Sequence, residues 1–335
     1  MSHRTITYDG YPEYCNYRWG TQIDEFEPKY EWFKLGLDPK HGREPSSLAY
    51  RYTSPSLPPP GPRVSSEKLI TDYLTALRKH AISILEEKLT VGLVQRTPIE
   101  FVVTVPAIWQ EKTKEKMVQC AKNAGMAIHS SLHIISEPEA AAVYELSARS
   151  NLGLQVGDTF VICDAGGGTV DLISYTITSL NPPVVQEAAP GAGAECCSTF
   201  LNRIFAEYMN ERFAHDRAFD EKTLAEAVKK FDTDIKRRFH RGYVGTFSVP
   251  MYKFRDDVAE GISRGRLRLP KERVERIYEP VVSEIIRLIK DQIAATNRHI
   301  KSVLLVGGFG ESIYLKERIG EELGPRTAVR QGIEP

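Results

Sequence analysis

Phe160–Tyr175 reads FVICDAGGGTVDLISY, two apolar runs joined by a turn that carries Gly166, Gly167, Gly168 and Thr169. Each run has the length and β-branched content of a strand, so the segment predicts a hairpin. Asp164 ends the first run and Asp171 opens the second, which sets a carboxylate at each edge of the glycine turn. Successive residues without Cβ let backbone N–H groups close on oxyanions, and nearby carboxylates can hold a hydrated Mg²⁺ that keeps several of its waters. An ordinary glycine-rich hairpin, with Asp164 and Asp171 as turn-capping residues, satisfies the same pattern. The choice between the two rests on the remainder of the chain.

Composition bounds that choice. The 335 residues are 41% hydrophobic and 26% charged, enough for two core-bearing units and too apolar for a disordered chain. The formal net charge is +0, so no bulk field draws nucleic acid or an anionic membrane, and neither is expected as a partner. Cys15, Cys120, Cys163, Cys196 and Cys197 show no repeated CxxC spacing and suit a reducing interior. The start of the chain lacks an apolar targeting run, and no segment approaches the roughly 18 apolar residues of a membrane span, so the expected location is cytoplasmic, with the nucleus open. HExxH, GxSxG, Walker A and GxGxxG are all absent, which removes the zincin, serine-hydrolase, P-loop and Rossmann readings.

Outward from the hairpin, the chain alternates strand and helix signals. Tyr30, Trp32, Phe33, Leu35 and Leu37 suggest a packed aromatic patch near the N-terminus. Ser54–Pro62, SPSLPPPGP, reads as a loop because proline fixes φ and lacks a donor. Leu69 to Leu85 recurs at helical spacing, Ile99–Val105 reads as a buried strand, and Gln110–Asn123 as a helix stopped by Gly125. Leu132–Ser136 reads as a strand, and Glu137-Pro138 opens a helix, so Glu137 stands at a strand-to-helix junction either as a helix cap or as a ligand-facing carboxylate. Later helices are expected over Thr199–Phe213, Glu221–Phe239 and Lys271–Ala295, with strands over Tyr243–Met251 and Ser302–Val306. A turn through Gly307, Gly308 and Gly310 then leads to a helix from Ser312.

Four segments in this order, FVVTVPAIW (101–109), IISEPEAAAVYEL (134–146), VICDAGGGTVDLISY (161–175) and VLLVGGFGES (303–312), resemble motifs of the nucleotide-binding domain of the heat-shock protein 70 chaperones. The N-terminal EWFKLGLDP looks most like divergent fungal members. The resemblance implies an α/β, actin-like ATPase fold of two ribonuclease-H-like lobes around a nucleotide cleft. It places a first lobe at 1–150 (peripheral 1–62, core 63–150) and a second at 151–335 (core 151–190 and 270–335, peripheral 191–269). It also implies ATP or ADP with Mg²⁺ as ligands, ATP hydrolysis as the activity, and co-chaperones or clients as partners.

Carried over by residue, the resemblance sets Asp164 and Asp171 beside the metal-bound phosphates, holding the metal through water, and Gly166, Gly167, Gly168 and Thr169 around the phosphates. Glu137 would position the attacking water, with Asp164 and Asp171 completing the catalytic set. Gly193 and Glu195 match a second loop, Lys236 and Arg237 match basic nucleoside-side residues, Gly307 and Gly308 match the adenosine-side turn, and Lys34 matches a phosphate-side lysine. Solvated helix surface is the plain alternative for Lys236 and Arg237. Several positions depart from the family: Phe309 and Glu311 replace serine and arginine, and Ala194 replaces a glycine. The first phosphate hairpin has no counterpart before Trp19, and the final strand and helix of the second lobe are missing, so truncation at both ends is expected. Two other readings stay open: a decayed, partner-binding pseudoenzyme, and a small-molecule kinase of the same superfamily.

Overall fold

The computed structural model describes residues 5–9, 16–24, 27, 29–31, 33–37, 64–127, 131–148 and 153–332. Ser54–Pro62, Trp32 and Cys15 lie outside them, as does the side chain of Leu35. The chain divides into two compact units, one of 1–42 with 54–140 and the other of 43–53 with 141–335.

In the first unit, β1 (Ile6–Tyr8) pairs antiparallel with β2 (Tyr17–Trp19). Helix α1 (Ser66–Leu89) starts where the Ser65 hydroxyl accepts the Lys68 N–H at 3.2 Å, a serine cap at the expected position. It is followed by the short α2 (Val91–Arg96). Strands β3 (Glu100–Val105) and β4 (Ser131–Ser136) run parallel, joined through α3 (Glu111–Asn123). Gly125, at φ +81, closes α3 in a conformation open mainly to glycine. Phe33, Leu37, Leu69, Ile70, Trp109 and Met117 form the core of this unit, with Tyr30 packed against it. The reading of Ile99–Val105 as a buried strand needs correction: β3 alternates, and Val102 is 61% exposed. Among the described residues β3 has only β4 as a sheet neighbour, so its second face is not covered as in a wide parallel sheet.

Helix α4 (Glu137–Ala148) carries the chain from the first unit into the second. There, β5 (Thr159–Ala165), β6 (Val170–Leu180), β7 (Pro183–Ala194), β11 (Ile300–Val306) and β12 (Ala328–Gln331) form one sheet in the order β12-β11-β5-β6-β7. The hairpin pairing is in register from Thr159↔Thr176 to Ala165↔Val170. Helices α5 (Ser198–Phe213), α6 (Glu221–Lys230) and the short α7 (Lys236–Arg238) follow; Phe231–Ile235 between the last two widens into a π-helical turn. Strands β8 (Thr246–Pro250), β9 (Ile262–Ser263) and β10 (Arg266–Pro270) make a small antiparallel sheet, so the strand expected over Tyr243–Met251 is shorter than its apolar run. Helix α8 (Lys271–Thr296) lies against β6 and β7, and α9 (Ile313–Leu323) starts from its Ser312 cap.

Buried polar groups fix α8 to the sheet: the Ser174 and Thr296 hydroxyls lie 2.6 Å apart, and Gln292 Nε2 donates to Ser174 Oγ at 3.1 Å. The Ser174, Gln292 and Thr296 side chains thus meet partners where they leave water. The core between α5, α6, α8 and the sheets is aromatic, with Phe205 and Phe231 stacked at 4.5 Å. No helix of the described residues is long and apolar enough to cross a membrane.

Burial, reinforced by the Asp164 charge, pushes the Cys163 thiol up, and burial beside Cys196 does the same to Cys197. Burial beside Tyr314 raises the Tyr278 hydroxyl well above its ordinary range. In the unfolded chain these groups lose protons near about pH 8.5 for cysteine and about pH 10 for tyrosine. The folded state keeps protons that the unfolded state gives up, so their contribution is intact below the unfolded values and is lost as pH rises beyond them. Urea midpoints are therefore expected to stay level up to about pH 8 and to fall steadily from there to pH 10.5; a midpoint flat through pH 10.5 would contradict this burial.

Candidate functional site

Strands β5 and β11 are parallel neighbours, and their register places Val306 opposite Asp164 at the carboxyl ends of both. That is the edge at which open α/β sheets bind ligands. A glycine turn leaves each strand there. The Ala165 carbonyl accepts the N–H of Phe309 at 2.8 Å and of Gly310 at 3.1 Å, so the second turn folds directly over the base of the first. A Cβ on Gly307 would lie 2.3 Å from Asp164 Oδ1 and 2.7 Å from the Ala165 carbonyl, and one on Gly310 would lie 2.3 Å from the Val306 carbonyl. Gly307 also sits at φ +79. Both positions thus require glycine, by contact and in one case also by backbone angle.

The first turn is fastened as well. Gly166 N–H donates to the Thr169 carbonyl at 3.0 Å, while the Gly167 carbonyl accepts both the N–H and the hydroxyl of Thr199, each at 2.9 Å. This anchors the loop to the first turn of α5 and leaves Gly166, Gly167, Gly168 and Thr169 half-buried. Asp164 and Asp171 are cross-strand partners, Asp164 half-buried and Asp171 only 2% exposed. Asp171 Oδ2 accepts the Thr169 hydroxyl at 3.2 Å. The two carboxylates therefore stand at strand ends, with Asp171 bonded to the turn residue Thr169.

Gly193 pairs with Asp171 from the other side, inside β7, and half-buried Glu195 follows that strand. Lys236 faces Asn202 Oδ1 at 3.2 Å and the Ser198 carbonyl at 3.4 Å, and pairs with Asp232; Arg237 is exposed on the next position. Gly307 and Gly308 lie in the turn after β11, where Phe309 points inward at 3% exposure and Glu311 outward.

The residues fit a hydrated divalent cation with polyphosphate. Two hard carboxylates sit beside a turn whose close approach excludes Cβ, and among the described residues no group of three His, Cys, Asp or Glu could hold a metal directly. Contact through the cation's own waters is what Mg²⁺ favours.

In the first unit, Lys34 Nζ pairs with Glu137 Oε1 and lies 5.4 Å from the centroid of Trp109. The Lys34 and Glu137 side chains are 14% and 20% exposed. The Ser136 hydroxyl accepts the Glu139 N–H at 3.2 Å, so Ser136 caps α4 and Glu137 is not its cap. An open cavity of 580 Å³ flanks this junction, lined among others by Lys114, Glu115, Lys122, Ser136 and Glu139. Its only sequence signal was the helical recurrence of Glu111, Lys114, Glu115, Val118 and Lys122 on α3.

The chain belongs to the Hsp70 family: the family description "Hsp70 protein" matches residues 60–335. The mixed α/β architecture agrees with an actin-like ATPase nucleotide-binding domain. Among curated proteins, Heat shock 70 kDa protein 12B of Homo sapiens is 26% identical over 79% of this chain and 50% of its own length. Heat shock 70 kDa protein 12A of Homo sapiens is 24% identical over 70% and 46%, and Chaperone protein DnaK of Thermus thermophilus 23% over 79% and 40%. The chain thus spans about half the length of the curated relatives it matches.

Two stability measurements test this geometry. Gly307→Ala is expected to cost about 1–3 kcal/mol in urea unfolding, whereas Gly320→Ala in α9, with nothing within 4 Å of its Cβ, should be neutral or stabilising by up to about 1 kcal/mol. Lys34→Met should destabilise by about 1–3 kcal/mol through the carboxylate it strands, and the double variant Lys34→Met with Glu137→Met should recover most of that loss. Additive losses in the double variant would show that the pair is not coupled.

Proposed function

We propose that this chain is a divergent Hsp70-type ATPase domain that binds an adenine nucleotide with Mg²⁺. The observation that carries the reading is the stacking of two glycine turns at the ends of β5 and β11, the second of which leaves no room for a Cβ at Gly307 or Gly310, beside Asp164 and Asp171. The turn at Gly166–Thr169 would present backbone N–H groups to phosphate oxygens, and the two aspartates would hold the hydrated cation. Bound Mg²⁺ would neutralise phosphate charge and polarise the phosphoryl oxygens. Gly307 and Gly308 would let the backbone approach the nucleoside, with Lys236 and Arg237 as its basic neighbours. Within the first unit, an anion that draws Lys34 away would release the Glu137 carboxylate to orient water.

A second reading, nucleotide binding without turnover, draws support from that same ion pair: in this structure Lys34 holds the carboxylate that hydrolysis would need. Hsp70 membership argues against the small-molecule kinase reading. That relatives such as DnaK are chaperone proteins supports clients and co-chaperones as partners of the whole protein, within this proposal.

Thermal unfolding with and without Mg²⁺-ATP is the direct test. A nucleotide at 100 times its Kd should stabilise the fold by about 2.7 kcal/mol. Asp164→Asn should remove most of the Mg²⁺-dependent part while the protein still unfolds cooperatively, and Glu137→Gln should keep binding and lose any phosphate release. Absence of a Mg²⁺-ATP shift in a cooperatively unfolding sample would overturn the proposal.

A further inference from the structure

The small sheet of the second unit presents one face to solvent. Along β10, Leu267 and Leu269 are buried in the core while Arg266 and Arg268 are exposed on the opposite face. Strand β8 matches this alternation, with Phe247 and Val249 inward and Ser248 outward. The register sets Arg268 opposite Ser248, and Arg266 opposite Pro250 on one side and Ser263 on the other. Arg266 Nη1 reaches Ser248 Oγ only at 3.4 Å. Arg264 occupies the turn before β10 at φ +52, its N–H bonded to Asp256 Oδ1 at 2.6 Å.

Tyr252, 67% exposed, flanks the same turn: a Cβ on Gly265 would lie 3.3 Å from Tyr252 Cα and 3.6 Å from its Cδ1. Elsewhere in this unit Arg212, Arg238, Arg287 and Arg318 each meet a carboxylate. Among the described residues the guanidinium groups of Arg264, Arg266 and Arg268 form no ion pair.

We propose that this face, Arg264, Arg266 and Arg268 beside Tyr252, docks an extended acidic segment of a partner protein. Side chains two apart on one strand stand about 6.6–6.8 Å apart, the spacing of alternate carboxylates on an extended peptide. Each guanidinium fork can take a carboxylate through two hydrogen bonds. Tyrosine and arginine are also among the residues enriched at the energetic centres of protein interfaces. Nucleic acid fits less well. A duplex reader neutralises several phosphates along a continuous backbone, whereas this patch is one strand long, belongs to a chain of net charge +0, and is bordered by Asp256 and Asp257 on the preceding loop. The proposal is independent of the nucleotide reading.

The test is fluorescence anisotropy on the full chain, with a labelled peptide of alternating glutamate and threonine as the probe. Binding that weakens with added salt is expected. Arg266→Glu with Arg268→Glu should weaken it by about tenfold or more and should create binding to the matching lysine and threonine peptide. Because both positions face solvent, thermal unfolding should stay unchanged. Arg266→Gln with Arg268→Gln gives the same direction of loss if the charge reversal impairs folding, and Tyr252→Ala should weaken binding without altering its salt dependence. Absence of salt-sensitive binding, binding indifferent to the arginine changes, or tighter binding of oligouridylate at equal salt would each overturn the proposal.

Discussion

One carbonyl group holds the candidate site together. The Ala165 oxygen accepts the Phe309 and Gly310 N–H groups, and so joins the ends of two strands that are far apart in sequence and parallel in space. Parallel strand ends have no hairpin turn between them to fix their separation. Here the fixing comes from the loops themselves, and the contact is so close that Gly307 has room for no more than a hydrogen beside Asp164. The same closeness sets the position of the Asp164 carboxylate, because the β11 turn packs directly on it. Sheet register, turn chemistry and carboxylate placement are thus one constraint and not three.

That constraint is supported from below by aromatic packing. Phe309 turns inward and lies 6.2 Å from Tyr278, whose ring is 5.0 Å from Phe239 and 5.1 Å from Tyr314. The Tyr278 hydroxyl donates to the Lys236 carbonyl at 2.7 Å, which links the β11 turn through α8 to the start of α7. A serine at position 309 would leave this floor short of a ring, so the departure from the usual family residue changes how the turn is held. The β11 turn is anchored by apolar volume, whose contribution is about 25 cal/mol per Å² removed from water. Lys236 takes its direction from the same arrangement, because its backbone is tied to Tyr278 and its ammonium to Asp232 and Asn202.

The hairpin, the helix starting at Glu137 and the turn after Val306 were all legible because each is written locally: alternating or continuous apolar runs, then glycine or proline at the boundary. Strand β7 was not legible, since PVVQEAAPGAGA has small residues and prolines where strands carry branched ones. It forms because β6 offers it a partner along its whole length, a tertiary effect stronger than propensity. The short strands β1, β2, β9 and β12 escaped for the related reason that two to four residues carry no measurable period. The burial of β3 was misjudged because an apolar run records affinity for a core and not the number of strands available to build one.

The Lys34–Glu137 pair marks the limit of sequence reading more sharply. Its members are 103 residues apart, and nothing at either position records the other. What brings them together is the core of the first unit: Phe33 and Leu37 are buried on either side of Lys34, and Trp109 lies within cation–π reach of its ammonium. A lysine held between two buried residues has little freedom to follow solvent, and at 14% exposure its charge needs a partner. Glu137 supplies it because Ser136 already satisfies the helix start, which frees the glutamate from capping. The serine one residue earlier thus determines what the carboxylate is available to do. A motif reading that assigns Glu137 a chemical role depends on this division of labour between neighbours, which only the folded backbone reveals.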